Sequence, residues 1–142
     1  MSTPQLEGIS PLISDRFILP EIAGEDLTMG QVVERSADNT VKKPTSNPSL
    51  QRCGICLTSA LSGKEISVLW RGQARAKAYG TVTYGDAVGS GPGGTVQKVG
   101  PATSSDCNTS AGTALAVNRA RSIIGWAKAG AVSGGTAVIL VT

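Results

Sequence analysis

Apolar side chains in this chain come in short, alternating runs separated by turn residues, the signature of strands rather than helices. From residue 28 onward the runs Val32-Val33, Thr40–Lys43, Cys53–Leu57 and Glu65–Arg71 follow one another. Then "GQARAKAYG" (72–80) alternates strictly, with Ala74, Ala76 and Ala78 on one side and Gln73, Arg75, Lys77 and Tyr79 on the other. That pattern predicts a half-buried strand with small residues inward and a basic outer row. "GGTAVILVT" closes the chain as an apolar strand. Between them, residues 99–120 begin as a polar loop; "AGTALAVNRARS" is open to a short helix or to a loop carrying a strand.

Residues 1–26 differ. Pro4, Pro11 and Pro20 break any helix, and the apolar clusters Leu12-Ile13 and Phe17-Ile18-Leu19 sit between prolines and acids. This predicts an extended N-terminal arm over 1–26 ahead of a β domain over 27–142. Apolar side chains on an extended segment need a groove, on its own domain or on a neighbour.

The β domain repeats itself. "TMGQVVERSADNTVKK" (28–43) over "TYGDAVGSGPGGTVQK" (83–98) aligns Thr28/Thr83, Gly30/Gly85, Val33/Val88, Thr40/Thr95, Val41/Val96 and Lys43/Lys98 at an offset of 55. "GICLTSALSGKEISVLW" (54–70) over "GWAKAGAVSGGTAVILV" (125–141) aligns Gly54/Gly125, Ala60/Ala131, Ser62/Ser133, Gly63/Gly134 and Leu69/Leu140 at an offset of 71. Two pseudo-repeats follow, about 28–72 and 83–141, the second longer by 16 residues between its blocks.

The repeat decides two motifs. Gly89, Gly91 and Gly94 satisfy G-x-G-x-x-G, but a strand pattern follows where a dinucleotide site needs a helix, and Pro92 lies inside. Their counterpart is "ERSADN", so the glycines are expected to make a turn between strands. Cys53-Gly54-Ile55-Cys56 lies over Ile124 and Ala127, ordinary apolar positions, and only Cys107 remains as a further thiol ligand. Buried free thiols are expected, not a zinc or redox pair.

Composition narrows the chemistry. The 142 residues make one domain's worth of core. Histidine is absent, which removes the commonest general base and metal ligand, and Asp86 and Glu65 are isolated acids. We expect no enzyme, no cofactor and no metal. No apolar run approaches the roughly 20 residues that span a bilayer, and "MSTPQLEGIS" lacks the plan of a signal peptide, so no membrane partner is expected. The net charge of +3 divides unevenly: residues 1–40 carry −5 and residues 41–142 carry +8. Contact between an acidic head and a basic body would suit this, as would solvated charge on both. Arg71, Arg75 and Lys77 form the best basic patch. Tyr79 alone is too little aromatic company for nucleic acid, so a solvated or protein-facing strand is expected.

"VLWRGQARAKAYGTVTYGDAV", the glycine turn and "IIGWAKAGAVSGGTAVILV" together resemble the small capsid decoration, or cement, proteins of tailed bacteriophages. The matching positions are Gly30, Gly54, Gly63, Arg71, Gly72, Gly85, Asp86, Gly125, Gly134 and Gly135, and the resemblance runs from about residue 23 to residue 142. It implies a compact β-barrel or sandwich-like domain, made in a bacterial cytoplasm and assembled, commonly as a homotrimer, on the outer capsid surface. There it would clamp major capsid subunits against internal DNA pressure. Candidate contact residues are Leu12, Ile13, Phe17, Ile18, Leu19, Arg71, Arg75 and Lys77. The alternative is a virion-surface binding module, for carbohydrate or host attachment, although two Trp, two Tyr and one Phe leave few rings to stack on a sugar.

Overall fold

The computed structural model describes residues 16–45, 48–99 and 122–142. β1 (Phe17–Ala23), β2 (Val32–Ala37), β3 (Thr40–Lys42) and β4 (Cys53–Cys56) precede a strand of 13 residues, β5 (Glu65–Lys77). β6 (Ala87–Gly91), β7 (Thr95–Lys98), β8 (Gly125–Ala129) and β9 (Thr136–Val141) follow it. Hydrogen bonding orders them β1-β3-β2-β4-β5-β9-β8-β6-β7, and β1 returns to pair with β5. Five strands thereby close into a barrel, which leaves no open edge there. The fold is all-β, as the periodicity predicts.

The order reads the same from both ends. Starting at β5, the first half runs β4, β2, β3 and the second runs β9, β8, β6, β7, so that β9 takes the place of β5 itself. β1 supplies the fifth strand of the first half through antiparallel pairs from Phe17↔Arg71 to Ile22↔Glu65. The C-terminal part of β5 does the same in the second half, from Gly72↔Val141 to Lys77↔Thr136. The parallel pair Ala23↔Val41 on one side is matched by the parallel bridge Ala78↔Val96 on the other. All four residues obey the offset of 55.

The interiors match position by position. Ala23, Leu27, Val33, Val41, Cys56, Ile66, Val68 and Trp70 pack inside the first barrel. Ala78, Val82, Val88, Val96, Ala127, Ala137, Ile139 and Val141 are their counterparts in the second. The structural repeat starts earlier than the one visible in sequence. "FILPEIA" (17–23) and "GQARAKA" (72–78) are equivalent strands that share only their final alanine. Residues 17–23 of the expected arm are thus a wall of the first barrel. Residues 1–15, with Leu12 and Ile13, and the segment 100–121, with Cys107, lie outside the described residues.

The glycine cluster is a turn. Ala87–Gly91 and Thr95–Lys98 pair antiparallel from Val88↔Lys98 to Gly91↔Thr95, joined by a 3-10 turn over Pro92–Gly94. Gly94 takes φ +79°, and its counterpart Asn39 takes φ +55°. A left-handed residue is needed at that point in both hairpins, and Gly and Asn are the residues that adopt it at least cost.

The two halves meet on one face of the first barrel. Val32, Cys53, Ile55 and Leu69 point away from its interior and belong to the packed cluster that contains Ala74, Ala76 and the second barrel's core. That is why β4 is buried on both faces. Beside this seam lies a buried polar knot: the Ser49 hydroxyl donates to Glu34 and accepts from the Gln51 amide at 3.1 Å, while the Ser49 amide donates to Ser90 Oγ at 2.8 Å. Among the described residues no buried side-chain polar atom lacks a hydrogen-bond partner, so the knot ties both halves through satisfied polar groups.

Close packing at β8 gives a test. A Cβ on Gly125 would collide with the carbonyl oxygen of Leu140 on the neighbouring strand, and one on the equivalent Gly54 would lie 2.8 Å from that of Leu69. Gly125→Ala should cost about 1–3 kcal/mol in urea denaturation. Gly63→Ser, at an open turn with nothing within 4 Å, should be limited to the smaller strain of its φ of +86°.

Candidate functional site

The expected contact residues divide between two strands. Phe17, Ile18 and Leu19 lie on β1, with Phe17 and Ile18 exposed and Leu19 half-buried. Arg71, Arg75 and Lys77 lie on the outer face of β5, all exposed. The register brings the two groups together at one point only, because Phe17 sits directly opposite Arg71. Arg75 and Lys77 continue along β5 onto the second barrel, opposite Val138 and Thr136. At about 3.3 Å per residue the row from Arg71 to Lys77 spans roughly 20 Å. Among the described residues, none of the three has a carboxylate partner, and Lys128 adds a further cation by donating to Gln73 Oε1 at 2.8 Å.

Part of the acidic head is internal. Glu21 of β1 is buried and accepts from Arg35 Nη1 at 3.0 Å, Arg35 Nη2 at 2.9 Å and Trp70 Nε1 at 3.2 Å. The Arg35 guanidinium lies 5.3 Å from the Trp70 ring centroid. This bidentate, stacked arrangement satisfies a charge inside the first barrel; it is a plug, not an acid–base site. In the second barrel Ala76, Ser90 and Val141 hold the equivalent places.

Four exposed turn residues went unnoticed in the sequence. Met29, Leu61, Tyr84 and Val132 are the most exposed large apolar side chains described, between 66% and 77%. They form two equivalent pairs. The bridges Leu27↔Ala60 and Val82↔Ala131 clip the Met29 turn to the Leu61 turn and the Tyr84 turn to the Val132 turn. Each tip is stiff. Thr28 and Thr83 amides donate to Gln31 Oε1 and Asp86 Oδ2, both at 2.9 Å, and the turns close through Gln31 N to Thr28 O at 3.1 Å and Asp86 N to Thr83 O at 3.0 Å. The offsets place Met29 over Tyr84 and Leu61 over Val132, but unlike residues at turn positions give no alignment signal. Also unnoticed were Trp126 and Leu140, neighbours across β8 and β9 and both about half exposed.

A cleft of about 830 Å³ lies between the barrels, lined by Met29, Gly30, Leu57, Arg75, Lys77 and Gly94 among others. Neither Asp nor Glu is among its lining residues, and the Cys56 that lines it is a buried thiol. Among the described residues no group of three or more His, Cys, Asp or Glu could hold a metal.

Cys53 and Cys56 are free and buried. Burial pushes both thiols from the ordinary 9.0 up to about 12; at Cys53 the Glu34 carboxylate adds to the rise and Ser49 partly offsets it. Because the folded state holds these protons more tightly than the unfolded chain, the stability they contribute is complete below about pH 9 and is lost as pH rises toward 12. Urea midpoints should therefore fall between pH 9 and 11, and less steeply in Cys56→Ala. Neither thiol should react with Ellman's reagent at pH 8 before unfolding. Identical slopes in the two proteins would count against the assignment.

No family model matches the sequence, and no curated protein matches it. Among solved structures it is similar to the N base of the head fibre protein gp8.5 of bacteriophage phi29. The TM-score is 0.61 at 11% identity, covering 89% of this chain and 94% of that one. At that identity the likeness is one of fold.

Proposed function

We propose that this chain is a non-enzymatic structural module of a phage virion, which docks on repeated protein subunits at the outer surface of the head. The observation that carries this is the duplicated apolar tip: Met29 with Leu61 on one barrel, Tyr84 with Val132 on the other. Large apolar side chains held out by hydrogen-bonded turns have already met the ordering cost of a contact. Two equivalent copies in one molecule suit a partner that presents the same pocket repeatedly, as a capsid lattice of major capsid protein does, and the second contact becomes intramolecular. The fold shared with a head fibre base and the resemblance to cement proteins both support this setting.

A protein partner fits the tips better than a carbohydrate. Sugar sites stack on aromatic faces, and the tip that carries Tyr84 in one barrel carries Met29 in the other. Clamping is the second reading. If the two tips seat on different subunits, one molecule crosses their boundary, and the basic row from Arg71 to Lys77 orients it against acidic surfaces in a salt-dependent way. A homotrimer would multiply the same effect.

Co-sedimentation with heads tests docking. Met29→Asp and Tyr84→Asp should each weaken binding by about tenfold, and the pair together should abolish it. Undiminished binding by the double variant would overturn the proposal. The clamp is tested separately: heads decorated with the protein should release DNA at a higher temperature than bare heads, and equal temperatures leave docking without clamping.

A further inference from the structure

The cleft between the barrels carries a charge that the equivalent positions of the repeat do not. Its charged lining residues are Arg75 and Lys77, both exposed, and no acid lines it. Their counterparts on β1 are Pro20 and Ile22, which are neutral. Four other lining positions, Gln31, Ala76, Gly93 and Thr136, have the acids Asp86, Glu21, Asp38 and Glu65 as counterparts. Leu57 alone departs in the opposite sense, since it answers to Lys128. The lining is therefore +2 where the equivalent positions, four acids against one base, come to −3.

At Gln31 the difference is one of charge and not of structure. Its Oε1 accepts from the Thr28 amide at 2.9 Å, as Asp86 Oδ2 accepts from the Thr83 amide at 2.9 Å. Its carbonyl accepts from the Cys56 amide at 2.9 Å, as that of Asp86 accepts from Ala127 at 2.8 Å. The Asp86 carboxylate also pairs with Lys98 at 3.7 Å. Lys43, the counterpart of Lys98, donates its backbone amide to Glu25 Oε2 at 2.8 Å, but its ammonium makes no ion pair among the described residues. It stands beside the cleft wall, where a Cβ on Gly94 would lie 3.2 Å from Lys43 Cγ. Spacing defines the form of a ligand. Arg75 and Lys77 are two residues apart on one strand face, about 6.6 Å at a rise of 3.3 Å per residue, and same-face side chains of an extended peptide have that same interval. Between them and the Met29 turn the wall is low, since a Cβ on Gly93 would meet nothing within 4 Å. No two acids of this chain are two residues apart, so the chain itself does not offer the matching pair.

We propose that this cleft is a binding site for an extended acidic segment of another protein, with carboxylates at alternate residues paired to Arg75 and Lys77. Charge-assisted hydrogen bonds at two points spaced like the ligand's own side chains fix its register, which a diffuse positive surface would not do. The neutral cap at Gln31 keeps the Met29 turn in place without setting a carboxylate against the ligand. The site goes beyond the docking reading, which concerns the apolar tips, although Met29 borders both. It stands or falls in solution, without a head.

Fluorescence anisotropy with labelled probes tests it. The probe is a peptide of alternating glutamate and threonine; the comparisons are a peptide of the same composition with its glutamates in one block, and an oligothymidylate of similar length. The alternating peptide should bind at about 50 mM salt and roughly tenfold more weakly at about 500 mM. Arg75→Gln and Lys77→Gln should each weaken it several-fold, and together about tenfold or more. Lys64→Gln removes the same charge from an exposed turn outside the cleft and should leave binding unchanged. Gln31→Asp decides between a shaped site and net charge. Asp86 shows that aspartate supports the same cap, so the turn is retained while a carboxylate enters the cleft, and binding should fall about tenfold. If this variant lacks the wild-type circular dichroism spectrum, the exposed Arg75 and Lys77 variants decide alone. No binding by the wild-type protein, or undiminished binding by the folded variants, overturns the proposal. Equal affinity for the block peptide or the oligothymidylate also overturns it, because the cleft would then be a general anion patch. Co-sedimentation of the Gln31→Asp protein with heads reads the docking proposal separately.

Discussion

One strand serves two barrels, and the rest of the molecule is arranged around that constraint. The even-numbered residues of β5 face inward along its whole length: Ile66, Val68 and Trp70 into the first barrel, Gly72, Ala74 and Ala76 into the second. Their sizes differ because the two interiors are filled differently. In the first, Trp70 and the buried Glu21, held by the exposed Arg35, occupy the end nearest the junction. In the second, Val32, Cys53, Ile55 and Leu69 of the neighbouring barrel join the cluster, and alanines on β5 leave them room. Small residues on one strand thus accommodate large ones on another, as close packing requires.

That exchange explains how much could be read from sequence. The repeat offsets held at backbone turns and at inward positions, such as Gly63 with Gly134 and Val33 with Val88, because both barrels impose the same geometry there. The alternation of "GQARAKA" gave the inward and outward faces of β5 correctly. The equivalence of "FILPEIA" to that stretch was hidden, since the two strands carry unlike outer rows: Ile18, Pro20 and Ile22 on one, Gln73, Arg75 and Lys77 on the other. Nor could sequence show that Leu69 is buried while its aligned partner Leu140 is open; burial there depends on which half lies outside it. The acidic character of the first 40 residues left contact with the basic body and solvated charge both open; Glu21 and Glu34 are buried and bonded.

The same comparison separates structural polar groups from chemical ones. Ser49, Glu34 and Ser90 bring two hydroxyls and a carboxylate together. In place they are buried, mutually bonded and adjacent to the seam, and the Ser49 amide and hydroxyl are both committed. A serine in that setting fixes the path of the segment before β4 rather than attacking a substrate. Polar order at the seam and apolar disposition at the rims are opposite uses of the same small repertoire of side chains.

Continuity of β5 also decides how the molecule answers a pull. Separating the two barrels along the strand would stretch covalent backbone, whereas peeling β1 or β9 from it would first have to shear ladders of hydrogen bonds, six residues of register on β9 alone. The two halves are joined through one continuous strand, Glu65–Lys77. Tension applied at one barrel reaches the other through the covalent backbone of β5.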